Sequence, residues 1–135
     1  MDILFIKIGN RIFGLRKELI MEVVFPEIFF EVPGVPAAVK GVINNKGKPV
    51  VVLNTPYLLN TESNKKDGVV ICKAGEFEFG ILVDSIELFY TIPEKNFYRE
   101  DKQMFDGKVV IKNRKYYILG LDNLLNHKEI IPLLK

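Results

Sequence analysis

What this chain lacks narrows its chemistry first. Its 135 residues include no tryptophan, one cysteine (Cys72) and one histidine (His127). A single thiol excludes an intrachain disulfide and a thiolate zinc cluster, and His127 has no second ligand at metal spacing. Ser63 and Ser85 are the only serines, and Thr55, Thr61 and Thr91 the only threonines. Nucleophilic catalysis needs a hydroxyl or thiol beside a positioned base, and this inventory supplies no such pair. No glycine-rich phosphate loop is present. No enzyme activity, cofactor or metal is therefore expected. No run of about 18 apolar residues exists to span a bilayer, and residues 1–4 lack the basic start of a signal peptide. The expectation is a soluble, cytoplasmic protein without direct membrane insertion. Excess charge of one sign is also missing: the net charge is +2, with +3 on residues 1–66 and −1 on residues 67–135. Nucleic acid is thus not an expected partner.

Alanine is scarce as well, with 3 residues against 14 valines and 15 isoleucines. β-Branched side chains suit a pleated strand and lose rotamer freedom in a helix, so the fold class is all-β. Strands are expected at residues 2–8, 11–15 and 17–25. Pro26, Pro33 and Pro36 make residues 26–38 a loop or edge segment. Residues 39–43 and 49–53 read as a hairpin joined by the five residues 44–48. Residues 56–60 read as one helical turn, and the polar stretch 61–67 as the best internal boundary. Further strands are expected at 69–73, 77–83 and 86–92, then an irregular polar stretch at 93–106. A last hairpin pairs 109–111 with 116–119. Residues 122–126 repeat the leucine-bearing turn, and 127–135 suit a short amphipathic helix that Pro132 keeps from extending.

The chain also resembles itself at an offset of 66. Phe13-Gly14-Leu15 falls on Phe79-Gly80-Ile81, Ile20 on Ile86, Gly41 on Gly107, and Leu58-Leu59-Asn60 on Leu124-Leu125-Asn126. A fixed offset carrying glycines and a tripeptide indicates an internal duplication. Units of about 60 residues with five short strands commonly close into small barrels, and two of them would need a shared core. The expected arrangement is one domain over 1–135, with subdomain one at 10–66, subdomain two at 67–126, and termini crossing between them.

Three stretches then resemble the CheW-like domain family. Val32-Pro33-Gly34-Val35-Pro36 leading into Lys40-Gly41-Val42-Ile43-Asn44-Asn45-Lys46-Gly47 resembles its first signature. Gly80-Ile81-Leu82-Val83-Asp84-Ser85-Ile86 resembles its second, and Leu119-Gly120-Leu121-Asp122-Asn123-Leu124-Leu125 its third. The resemblance covers about residues 3–126. It implies two five-stranded SH3-like barrels around a shared core, with short helical turns. It also implies a non-catalytic adaptor, or scaffold, coupling the cytoplasmic tip of chemoreceptors to the regulatory domain of the histidine kinase CheA in chemotaxis. The chain departs from the pattern at Lys46, where the family has arginine, and at Asn45, Val51 and Asn54, where it has leucine, proline and aspartate. Lysine keeps the charge of arginine but loses its planar fork of donors. The alternative reading is a divergent small β-barrel module that binds nucleic acid or another protein.

The resemblance marks Ile20, Glu22, Val23, Gly41, Asn44, Lys46 and Gly47 as a candidate receptor-binding groove; no kinase-contact residue is identified. Each has a plainer reading. Gly41, Asn44 and Gly47 suit turn chemistry. Ile20 and Val23 suit a core, and Glu22 a solvated surface. Phe25, Ile28, Phe29 and Phe30 are either an exposed interaction patch or the cap of a barrel end, and the sequence leaves both open. Asp84 suits a structural hydrogen bond to a turn, and Cys72 a small buried apolar residue. Lys108, Lys112, Arg114, Lys115, Tyr116 and Tyr117 combine base-stacking and phosphate-binding types, but in a near-neutral chain the favoured reading is a solvated hairpin whose lysines protect a β edge.

Overall fold

In a computed structural model describing residues 1–63 and 68–134, the duplication recurs element by element. The first repeat holds β1 (Asp2–Ile8), β2 (Arg11–Arg16), β3 (Ile20–Val24), β4 (Val39–Asn45), β5 (Lys48–Leu53) and the single helical turn α1 (Thr55–Leu58). The second holds β6 (Gly68–Ala74), β7 (Phe77–Val83), β8 (Ser85–Thr91), β9 (Phe97–Lys102), β10 (Phe105–Ile111), β11 (Arg114–Leu119) and α2 (Leu121–Leu125). A shift of 66 places β1 on β6, β2 on β7, β3 on β8, β4 on β10, β5 on β11 and α1 on α2. Only β9 has no strand as counterpart. The isolated bridge Phe30–Val42 stands near its place in the first repeat.

The strands form a six-stranded sheet, ordered β8-β1-β2-β11-β10-β9, and a five-stranded sheet, ordered β3-β6-β7-β5-β4. In repeat terms the two orders are the same. Each sheet combines the opening hairpin of one repeat, β1–β2 or β6–β7, with the later strands of the other. The repeats join twice in each sheet: once antiparallel, β1 with β8 and β6 with β3, and once parallel, with Ile118 opposite Gly14 in one sheet and Val52 opposite Gly80 in the other. The five-stranded sheet thus draws its strands from residues 20–53 and 68–83, and the six-stranded sheet from residues 2–16 and 85–119. The reason is that the hairpins β1–β2 and β6–β7 each leave their own repeat. The expected boundary at 61–67 lies partly outside the described residues.

Other expectations are corrected in detail. Neither sheet closes into a barrel by backbone pairing, and one has six strands because β9 forms inside the stretch expected to be irregular. β9 pairs only with β10, and an edge strand with one neighbour needs no apolar alternation to announce it. Lys17–Leu19 is a 3-10 turn, so the third strand is shorter than expected. The tail is a single 3-10 turn, Ile131–Leu134, containing Pro132. Both hairpin connections are shorter than expected: Asn45 pairs with Lys48 and Ile111 with Arg114, leaving two-residue turns. No helix among the described residues is long and apolar enough to cross a membrane.

Burial explains the continuous apolar runs. Leu4, Ile6, Phe13, Leu15, Val70, Cys72, Phe79 and Ile81 belong to one cluster shared by the two sheets. Ile3 and Phe5 alternate with them into a second cluster with Val109 and Ile118, and Val69 and Ile71 into a third with Ile43 and Val52. Strands buried on both faces lose the hydrophobic-polar alternation of a half-exposed strand. The recurring glycines mark close approaches. A Cβ on Gly14 would lie 2.5 Å from Ile118 Cδ1, and one on Gly80 2.6 Å from Val69 Cγ1. On Gly41 it would lie 2.6 Å from the Phe30 carbonyl oxygen, and on Gly107 2.4 Å from that of Tyr98. Both of the latter sit at register shifts of β4 and β10.

Candidate functional site

The β4–β5 hairpin turns through Lys46 (φ 55°) and Gly47 (φ 84°). Positive φ at both central residues is what a two-residue type I′ turn requires. Asn44 Oδ1 accepts the Gly47 amide at 2.8 Å and fixes the turn. This holds Lys46 at the tip, with its side chain 83% exposed.

Lys46 Nζ reaches Glu22 Oε1 on β3 at 3.5 Å. β3 and β4 are the opposite edges of the five-stranded sheet, so the ion pair spans the unpaired seam between its two ends. Glu22 is not the solvated surface charge expected from sequence. Its side chain is 28% exposed, and Oε1 is shielded and accepts no hydrogen bond among the described residues. Beyond the seam, Lys48 pairs with Glu78 of β7. That hydrogen bond is the main influence holding the Glu78 carboxyl below its ordinary range.

The other candidates divide. Ile20 is half-buried against the shared core, whereas Val23 is exposed beside Met21. Gly41 is buried under the Phe30 carbonyl, and Asn44 and Gly47 are exposed. The phenylalanine cluster also splits: Phe29 packs onto the third core cluster under the Lys40 ammonium, while Phe25, Ile28 and Phe30 are 70%, 61% and 54% exposed. The cluster is thus divided between exposed residues and one packed against the core. Phe30 pairs with Val42 through two backbone hydrogen bonds of 2.8 and 2.9 Å. Phe30, Asn44 and Gly47 line one groove of about 220 Å³, which brings Phe30 of the cluster to the hairpin. The region thus combines an ion pair between an exposed lysine and a partly exposed glutamate with exposed apolar side chains.

Sequence reasoning missed the Glu22–Lys46 partnership, because 24 residues and a sheet's full width separate the two. It also missed Leu88, Phe89 and Tyr90 on β8, which are 47%, 55% and 47% exposed. The repeat offset carried a usable signal, since it aligns Lys112 with Lys46 and Leu88 with Glu22. Asp84 is buried and accepts the Gly9 amide at 2.6 Å and the Ser63 hydroxyl at 3.0 Å, a structural tie to the β1–β2 turn. His127 Nδ1 accepts the Glu129 amide. Among the described residues no group of three His, Cys, Asp or Glu side chains is placed to hold a metal ion. In the basic hairpin region, Lys108 is paired with Glu100, and Tyr117 accepts a hydrogen bond from Lys102.

The family model described as CheW-like domain matches residues 2–129. The fold is similar to the crystal structure of scaffolding protein TtCheW from Thermoanaerobacter tengcongensis, with a TM-score of 0.86 and 19% identity over 95% of this chain and 94% of that one. Among curated proteins none matches.

Proposed function

Since the chain belongs to the CheW-like domain family, we propose that it is a cytoplasmic, non-catalytic adaptor coupling the cytoplasmic tip of chemoreceptors to the regulatory domain of the histidine kinase CheA. The observation that carries this reading is the seam between β3 and the β4–β5 hairpin. There Lys46 occupies the family's arginine position and is paired with Glu22. The chain from β3 to the start of β4 also exposes Val23, Phe25, Ile28 and Phe30, apolar side chains of the kind that mark an interaction site. Ile20, Gly41, Asn44 and Gly47 shape the same region. Control in such an adaptor comes from assembly: it shifts a kinase equilibrium only by binding one kinase state more tightly than another.

The test is calorimetric titration of the protein with each partner from the same organism. Saturable binding with a Kd near 1 μM, about −8 kcal/mol, is expected for the kinase regulatory domain. Lys46→Glu should weaken receptor binding by about tenfold, roughly 1.4 kcal/mol. Adding Glu22→Lys to that variant should restore part of the loss, because the pair is rebuilt with its charges exchanged. Absence of binding to both partners by a folded sample would overturn the adaptor reading. Binding unchanged by Lys46→Glu would remove the seam from the receptor surface.

A further inference from the structure

The two repeats treat the same seam differently. In the first, Lys46 pairs with Glu22 at 3.5 Å and Lys48 pairs with Glu78. In the second, both cations recur at the offset of 66, as Lys112 and Arg114. Both carboxylates are replaced: Leu88 stands for Glu22, and Ile12 for Glu78. The presenting turn is the same, with Lys112 at φ 50° where Lys46 has 55°. Among the described residues neither Lys112 nor Arg114 forms an ion pair, and nor does Glu87, the carboxylate that lines the same groove. Between β8 and the β10–β11 hairpin there is instead a groove of about 610 Å³. Its floor is Leu88, Tyr90, Ile111 and Tyr116 around Phe5, whose ring meets Tyr90 and Tyr116 edge-on at 5.7 and 5.3 Å.

We propose that this groove docks an acidic polypeptide segment of a partner protein. One apolar side chain of that segment rests on Leu88, Tyr90 and Tyr116. Carboxylates on either side of it pair with Lys112 and Arg114, supplying in trans what Glu22 and Glu78 supply in cis. The argument is charge complementarity read from the molecule itself: the first repeat shows which groups satisfy this pair of cations when they are present. A single small carboxylate would answer one cation and leave the other. A nucleic-acid strand has no counterpart in the first repeat. Electrostatic matching of this kind confers specificity and speeds encounter more than it adds raw affinity. The inference does not rest on the adaptor reading, since it concerns the other repeat's seam.

The test is an amide NMR titration of the full chain with the synthetic peptide acetyl-Ser-Glu-Phe-Glu-Leu-Glu-Ser-amide. Its glutamine counterpart and a twelve-residue oligothymidylate serve as comparisons. The acidic peptide should shift amides of Leu88, Tyr90 and residues 111–116, bind about tenfold more tightly than the glutamine peptide, and weaken as salt rises. The double substitution Ile12→Glu with Leu88→Glu rebuilds both pairs in cis, and should keep a folded spectrum and lose about tenfold in peptide affinity. Should it fail to fold, Lys112→Gln with Arg114→Gln, both at exposed positions of the hairpin end, should show the same loss. The proposal is overturned by shifts located elsewhere, by equal binding of the two peptides, or by variants that bind like the parent. Tighter binding of the oligothymidylate would also overturn it, as would concentration-dependent self-association abolished by the variants, which would make the occupant a second copy of this chain.

Discussion

Gly14 and Gly80 hold equivalent positions where three strands cross, and each faces a branched side chain from both neighbours. A Cβ on Gly14 would come within 2.5 Å of Ile118 and 2.8 Å of Ile3; one on Gly80 would come within 2.6 Å of Val69 and 3.2 Å of Val52. All four of those neighbours are fully or almost fully buried, so none can swing into solvent. Gly14→Ala and Gly80→Ala should each lower stability by about 1–3 kcal/mol, the range for overpacking a filled core. Urea denaturation would show this as a lower midpoint with an unchanged slope; an unshifted midpoint would mean that the sheets yield at that point. Cys72 makes a second prediction at this scale. Burial pushes its thiol up to about 12, whereas an unfolded thiol ionises near ~8.5. Between those values the unfolded chain releases a proton that the folded chain keeps. The contribution of this group is therefore complete below about pH 8.5 and declines as pH rises towards the folded value. At pH 9 a thiol reagent should react with the native protein only as fast as it opens, and rapidly in denaturant. Native reaction at the rate of a free thiol would contradict the burial of Cys72.

The small elements are held by side chains whose roles emerge only in three dimensions. Asn54 caps α1, its Oδ1 accepting the Tyr57 amide at 3.5 Å while its Nδ2 donates to the Ala37 carbonyl at 3.1 Å. The aspartate of the family pattern could accept but not donate, so the amide ties the cap to the segment before β4. α1 in turn anchors the C-terminal segment. The Tyr57 hydroxyl donates to Glu129 Oε2 at 2.5 Å, and the Ala38 amide donates to Glu129 Oε1 at 3.3 Å. The Tyr57 hydrogen bond is the main influence lowering the Glu129 carboxyl, against the smaller upward push of desolvation. A carboxyl lowered in the folded state contributes stability that is present above its unfolded pKa, near ~4.3, and is lost as pH falls through the folded value. The tail should accordingly loosen in acid. Glu129→Gln or Tyr57→Phe should loosen it at neutral pH, with faster hydrogen exchange at Ile130 and Ile131, whose amides both bond to the His127 carbonyl. Exchange in both variants matching the parent would show that burial of Ile130, and not this latch, fixes the tail.

At the scale of the whole molecule, most of the architecture was legible and the connectivity was not. The β-branched composition announced the strands. The offset of 66 announced the repeat, and the recurrence of Gly14 at Gly80 and Gly41 at Gly107 had a steric cause that both copies share. What a linear pattern does not encode is which repeat a hairpin joins. β1 and β6 are equivalent and both buried on two faces, so either would satisfy the apolar demand of either sheet; only the three-dimensional arrangement shows the exchange. For the candidate site, the turn residues Asn44 and Gly47 were legible as turn chemistry, but the Glu22–Lys46 pair was not, because a seam between sheet edges leaves no local signature. The exchange carries a consequence for folding. Residues 1–63 contain β3, β4 and β5 but lack β6 and β7, which stand between β3 and β5 in the five-stranded sheet. Residues 68–134 lack β1 and β2, which stand between β8 and β11 in the other. Each fragment thus has a hole at the centre of its sheet, and the cluster joining Leu4, Phe13, Val70 and Phe79 is divided. The intact chain should unfold in one cooperative transition, and each fragment alone should lack a cooperative transition altogether. Mixed at equal concentration, the two should restore dispersed amide resonances and the cooperative melt, because each supplies the other's missing hairpin. A fragment that folds by itself would show that a hairpin can return to its own repeat, and that the exchange is not required for the fold.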